Sequence, residues 1–182
     1  MKKLIFGVAM LLFAQMGFGQ AIKDNAVIPV SVTLNSILRL TVTSGGNIQF
    51  VVNTIDQYTN GIANDDQYTT MFTVSSSRDF IVEMGAEDAT FVGQETGGTM
   101  DLNFLRYEIG GGGPDPLVGV TELVDLTTPE IIAGVSGAAS AGGELDYEIL
   151  WELGTDAGNA LLDANLPADI YITNVFLTLV PQ

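Results

Sequence analysis

From Glu144 to Leu153 the residues Leu145, Tyr147, Ile149, Trp151 and Leu153 alternate with Asp146, Glu148, Leu150 and Glu152. Successive strand residues point to opposite faces, so the alternation predicts a half-buried β-strand with one apolar and one mostly acidic face. The only tryptophan of the chain falls on the apolar face. Burying such side chains contributes roughly 1.5–3 kcal/mol each before conformational entropy is charged, so the core is expected to form against this segment.

The same period recurs along the chain. Ala26, Ile28, Val30, Val32 and Leu34 alternate with Val27, Pro29, Ser31 and Thr33, which predicts a first strand, and Pro29 marks it as an edge because proline cannot donate to a central ladder. Leu38, Leu40 and Val42 predict a second strand, and Ile48, Phe50 and Val52 a third, with the turn cluster Ser44-Gly45-Gly46-Asn47 between them. Asn53 to Thr70 reads as polar loop with a turn at Asn60-Gly61; it carries Asp-Gln-Tyr-Thr twice, at 56–59 and 66–69, too little for a repeat architecture. Met71–Val74 and Phe80–Met84 are two short strands around a polar turn, Gly85–Thr99 a glycine-bearing loop, Leu102–Ile109 a strand, and Gly110–Gly113 a loop tip before Pro114. Leu117–Leu126 is expected to be a strand, Gly134–Gly143 a small-residue loop, and Gly154–Pro167 a loop with one helical turn at Ala160–Leu162. The closing segment Ile170–Val180 is apolar on both faces, as in a central strand or one whose outer face meets another subunit. No segment keeps a 3.6-residue apolar period over three turns. The pattern predicts an all-β antiparallel sandwich of about seven to nine strands.

The beginning of the chain follows a different rule. Lys2 and Lys3 precede an apolar run from Leu4 to Phe13 and a softer stretch ending Gly17-Phe18-Gly19. A basic start, a short apolar centre and small residues at −3 and −1 predict a secretory signal peptide over residues 1–19, since the run is too short for a membrane span. Residues 20–182 are then expected to form one β-sandwich domain, exported to the periplasm of a Gram-negative bacterium and onward to the cell surface or medium. Cleavage takes away two of the six basic residues and none of the 22 acidic ones, leaving Lys23, Arg39, Arg78 and Arg106 and a net charge of −18. Such a balance repels nucleic acid and anionic membranes and attracts divalent cations.

Cysteine and histidine are both absent. Disulfides, a lipidated cysteine, Ser-His-Asp and Cys-His catalysis and histidine-ligated zinc are therefore excluded. Asp146, Glu148 and Glu152 share a strand face at a spacing of roughly 7 Å, within the range of glycosidase carboxylate pairs, but an acidic solvated face that keeps a sheet edge from pairing accounts for them without a cleft. Calcium is the better chemical candidate. Asn64, Asp65 and Asp66, and the loop Asp156, Asn159, Asp163, Asn165 and Asp169, carry the hard oxygens it prefers, with Asp65, Asp66, Asp156 and Asp163 as the candidate ligands, although Asp and Asn are also ordinary turn formers. The glycine run at 110–113 lacks the Lys and Ser or Thr of a phosphate loop, and Tyr58, Tyr68 and Tyr107 carry the rings that stack on sugars without naming a sugar site.

Asn25–Leu34, Asp56–Gly61, Phe72–Val82, the strand around Tyr147, and Leu166–Tyr171 with the strand after it together resemble a family of secreted bacterial β-sandwich proteins, the spore-coat-U-like and pilin-like domains. The resemblance implies an immunoglobulin-like (pilin-like) fold, a surface or fimbrial role and no catalytic residues; the cysteine pair of many chaperone-assisted pilins is absent. The expected function is a non-enzymatic cell-surface structural or interaction protein, of which a fimbrial or filament subunit is one form. The alternative is a carbohydrate-binding or calcium-dependent adhesion module. Expected partners are other proteins, or further copies of the chain through strand addition, or a glycan. The alternating segment at Ala26–Leu34 has the form of a donor strand. With only Asn35-Ser36 as a linker, it is expected to stay in its own sandwich.

Overall fold

The computed structural model of the protein describes residues 28–156, 158 and 160–182. Residues 1–19, where a signal peptide is expected, and Ala26, Val27 and Asn159 lie outside the described residues.

The chain divides after Leu34, and Asn35–Gln182 form the folded body. Its described strands are β1 (Leu38–Ser44), β2 (Thr69–Ser76), β3 (Phe80–Ala86), β4 (Thr90–Gly93), β5 (Thr99–Asp101), β6 (Leu105–Gly111), β7 (Thr121–Glu122), β8 (Glu130–Ala133), β9 (Gly142–Leu153), β10 (Tyr171–Ile172) and β11 (Val175–Pro181). They make three antiparallel sheets in the orders β1-β2-β9-β6-β7, β11-β3-β8 and β10-β4-β5. The fold is all-β and sandwich-like.

The expected centre is the observed one. β9 is the longest strand, paired with β2 on one side and β6 on the other, and Tyr147, Ile149, Trp151 and Leu153 are buried on its inner face. Phe72, opposite Tyr147 in the register, stacks on its ring at 5.2 Å between centroids, and Tyr107 lies against Trp151 at 5.8 Å. Phe80, Val82, Met84 and Ile132 of the β11-β3-β8 sheet, with Phe91 and Met100 of the third sheet, complete the core.

Several expectations are corrected, among them the loop expected at Gly85–Thr99, which holds β4 and the start of β5. Residues 28–34 form no strand, and Ile28, Val30, Val32 and Leu34 are 79–90% exposed. Alternation marks a face, but a strand also needs a ladder for its backbone N–H and C=O groups. Residues 48–52 form no strand either, although Ile48, Phe50 and Val52 still turn toward the core, with Phe50 stacked on Tyr68 at 4.3 Å. The polar stretch after Asn53 holds a helix, α1 (Ile55–Asn60), closed by a capping box in which Thr54 Oγ1 accepts from Gln57 N and Gln57 Oε1 accepts from Thr54 N, both at 3.2 Å. Gly61, at φ +74°, ends it. Within Leu117–Leu126 only the two residues of β7 are strand, because Gly119, at φ +95°, turns the chain.

Candidate interaction edge

β1 and β11 are the outermost strands of their sheets and lie side by side across the sandwich. Their inward-facing residues are incompletely covered. Leu38, Leu40 and Val42 stand opposite the buried Ser76, Val74 and Phe72, yet Leu38 and Val42 are 38% and 45% exposed. Val175, Leu177 and Leu179 stand opposite the buried Ala86, Met84 and Val82, and each is only half-buried. An apolar seam of the core therefore opens between two strand edges. Natural sheets ordinarily blunt such edges with charge or cover.

The backbone at β11 is set for pairing. Glu87 N donates to Asn174 O and Gln182 N to Asp79 O, both at 2.8 Å. In an antiparallel ladder, residues at alternate positions bond the same neighbour, so Asn174, Phe176, Thr178 and Val180 bond β3. The N–H and C=O groups of Val175, Leu177 and Leu179 thus face the open side, and their side chains face the core. At β1, Ser77 N donates to Ile37 O at 2.9 Å, which places the odd positions on β2 and leaves Leu38 and Leu40 with outward backbone groups. β11 pairs with β3 without a break over seven positions, whereas β1 is bulged between Val42 and Ser44. The sequence predicts the apolar inner face of β11, but its double-sided apolarity reads as a central or subunit-facing strand; what makes it an edge is the ladder order, which no local pattern contains.

The calcium candidates occupy other roles. Asp65 caps the 3-10 turn Asp66–Tyr68, accepting from Gln67 N at 2.7 Å, and Asp66 sits in that turn. Asp156 meets Arg106 at 3.9 Å, and the same guanidinium lies 3.6 Å from Glu152. Asp163 is exposed in a turn, its N–H donating to Ala160 O. Among the described residues no three Asp, Glu, His or Cys side chains gather to hold a metal ion.

Asp169 is the most engaged carboxylate. It accepts from Thr96 Oγ1 at 2.6 Å and from the backbone N–H groups of Thr96, Glu95 and Ile170 at 2.8, 3.0 and 2.7 Å. The Thr96 hydroxyl first, and then these amides, hold its carboxyl well below the usual range. It ties the segment before β10 to the turn between β4 and β5, where a side chain on Gly93 would collide with the carboxylate.

On the outer face of β9, Asp146 accepts from Thr73 Oγ1 at 2.8 Å, and Glu152 faces Arg106. Tyr107 is buried in the core, Tyr68 is covered by Phe50 and Tyr58 packs against the core, so none of the three presents a free ring. The Gly110–Gly113 segment is not a free tip: its first two residues end β6, and Gly113 lies flat against the Tyr147 ring. The Tyr147 hydroxyl donates to Pro114 O at 2.8 Å, and burial first, with Asp115 nearby, pushes its pKa up to about 12. No protein-family model matches the chain, and no curated protein matches it.

Proposed function

We propose that this is a non-enzymatic, secreted structural protein of the cell surface that self-associates by strand addition, a filament-type subunit. The observation that carries the reading is a complementary pair within one chain. Residues 28–34 offer four exposed apolar side chains at strand spacing and no charge, and β11 offers an open edge whose inner face is apolar. In strand addition, main-chain hydrogen bonds supply affinity and alternate side chains supply specificity. Each of Ile28, Val30, Val32 and Leu34 gains roughly 1.5–3 kcal/mol when buried, before ordering is charged. The export signal expected at residues 1–19 and the absence of histidine and cysteine agree with a surface role without chemistry.

The test is deletion of Gln20–Leu34 from the chain that begins at Gln20. The full chain is expected to form oligomers in light scattering and in electron micrographs, and the truncated chain to fold as a monomer that binds the 20–34 peptide. A truncated chain that assembles as well as the full one, or that ignores the peptide, removes this reading.

A further inference from the structure

We infer that the Asp115–Pro116 bond is a self-cleavage site, at which the folded chain cuts its own backbone through the Asp115 carboxyl and a molecule of water. The inference does not depend on strand addition. Asp115 has a left-handed backbone, at φ +51°; among the described residues other than glycine only Glu144 and Asn165 share it, and neither precedes a proline. Aspartate visits that region more readily than most residues, but a proline ring pushes the residue before it toward extended backbone. Such a conformation persists only where its surroundings over-determine it, and it gathers at sites where strain is used.

The surroundings are the turn Gly134–Ser136, which holds both partners of one reaction. Asp115 O accepts from Gly134 N at 2.8 Å and lies 3.5 Å from Val135 N. The Asp115 carboxylate accepts from Ser136 N at 2.7 Å through Oδ2 and from Ser136 Oγ at 2.8 Å through Oδ1. Three consecutive residues therefore grip the main-chain carbonyl and the side-chain carboxyl from one side, and the carboxyl stays beside its own carbonyl instead of turning to solvent. The flanks are anchored as well. The Tyr147 hydroxyl donates to Pro114 O at 2.8 Å, and Leu117 N donates to Ile132 O at 2.9 Å. Holding two reacting groups in place in this way removes much of the entropic barrier to their reaction. Asp115 and Pro116 are only half-buried, so water reaches the bond.

The step begins from the carboxylic acid form of Asp115. One carboxyl oxygen bonds to the carbonyl carbon of the same residue and closes a cyclic anhydride. The C–N bond to Pro116 breaks, its electron pair stays on nitrogen, and the carboxyl proton passes through solvent to that nitrogen. Charge that gathers on Asp115 O during the attack meets the amides of Gly134 and Val135, which are already aimed at it. Water then opens the anhydride, leaving two carboxyls on Asp115 and a free amino group on Pro116. Proline favours the step because its nitrogen leaves as a basic secondary amine. The nick does not divide the body: β1 to β6 precede it and β7 to β11 follow it, and the β2–β9, β6–β9 and β3–β11 ladders cross between the two pieces.

The test uses the full chain in a mildly acidic buffer in which its native spectrum persists, with masses read after denaturation. The chain has no other Asp–Pro bond, so the products are unambiguous. The folded protein is expected to yield a piece ending at Asp115 and a piece starting at Pro116 at least about ten-fold faster than the same protein unfolded in urea at the same pH, at a rate independent of protein concentration. Asp115→Asn has no acid to close the ring and Asp115→Glu closes a larger one, so each is expected to slow the cut at least about ten-fold. The urea arm measures the bond's own lability on the natural sequence, so the outcome does not hang on either variant folding. Equal rates in the folded and unfolded chain, no cut in the folded chain, or a cut that persists in Asp115→Asn overturns the inference.

Discussion

Trp151 Nε1 donates to Thr70 Oγ1 at 2.9 Å, and the Thr70 hydroxyl in turn donates to the carbonyl of Gly45 at 2.6 Å. Thr70 is one of two buried polar residues, with Ser76, found among the described residues, and it joins the C-terminal end of β9 to the loop that follows β1. Each group in this relay is satisfied by the next. Thr70→Val keeps the shape and removes the hydroxyl, which strands the indole N–H inside the core and leaves Gly45 O without a donor. A buried polar group left unpaired costs roughly 1–3 kcal/mol. Urea unfolding should move to lower midpoint with an unchanged slope, and Trp151 fluorescence should follow the same transition. Wild-type stability in Thr70→Val would show that the relay is worth nothing.

The glycines after β6 differ in what surrounds them, and two substitutions separate the cases. Gly113 lies against the ring of Tyr147, so a Cβ there displaces the ring and breaks its bond to Pro114 O. Overpacking of this kind typically costs about 1–3 kcal/mol. Gly112 has open space around it and no positive φ. Gly113→Ala is expected to lower the melting temperature by several degrees, and Gly112→Ala to leave it unchanged; equal shifts would mean that backbone freedom, not the Tyr147 contact, is what the run provides.

Part of this was legible and part was not, for physical reasons. β2, β3 as far as Met84 and β9 from Leu145 onward alternate and bury one face, so a period-2 pattern locates them and orders their inner residues correctly. Ile48–Val52 alternates as well and its inner residues do pack against the core, yet the segment joins no ladder, and only the tertiary placement of a partner strand decides that. α1 is readable in retrospect from Thr54 and Gln57, a capping box ahead of a six-residue helix too short to show a period. The candidate edge divides the same way. Ile28 to Leu34 is visible in the sequence as an apolar alternation, whereas its lack of a partner, and the open side of β11, follow from sheet order.

Asp169 gives the fold a pH-dependent clasp. Its folded pKa is depressed, so the stabilisation it brings is present above the unfolded value, about 3.9, and is lost as pH falls through the folded value, well below that. Hydrogen exchange at the Glu95, Thr96 and Ile170 amides should therefore be slow from neutral pH down to about pH 4 and lose protection at lower pH, after correction for the intrinsic rate. Asp169→Asn accepts through one oxygen only and should show the faster exchange already at pH 7. Equal protection in the variant would mean that β-pairing at Gly93–Tyr171, not the carboxylate, holds the segment.

Calcium makes a separable prediction at Asp65. Its carboxylate accepts from Gln67 N, and its backbone carbonyl accepts from Tyr68 N at 3.0 Å and Thr69 Oγ1 at 3.0 Å, so both are committed to the turn that leads into β2. A capping carboxylate of this kind contributes about 0.5–2 kcal/mol, and it does so without any ion. Asp65→Ala should thus lower the midpoint of thermal unfolding by the same few degrees in millimolar calcium and in chelator, and the wild-type curve should not move between the two conditions. Binding to the native state alone raises stability in proportion to the logarithm of ligand over Kd, so a genuine site would separate the wild-type curves and bring them together again in the variant. That pattern would restore Asp65 and Asp66 as ligands and give the acidic loops an ion to hold.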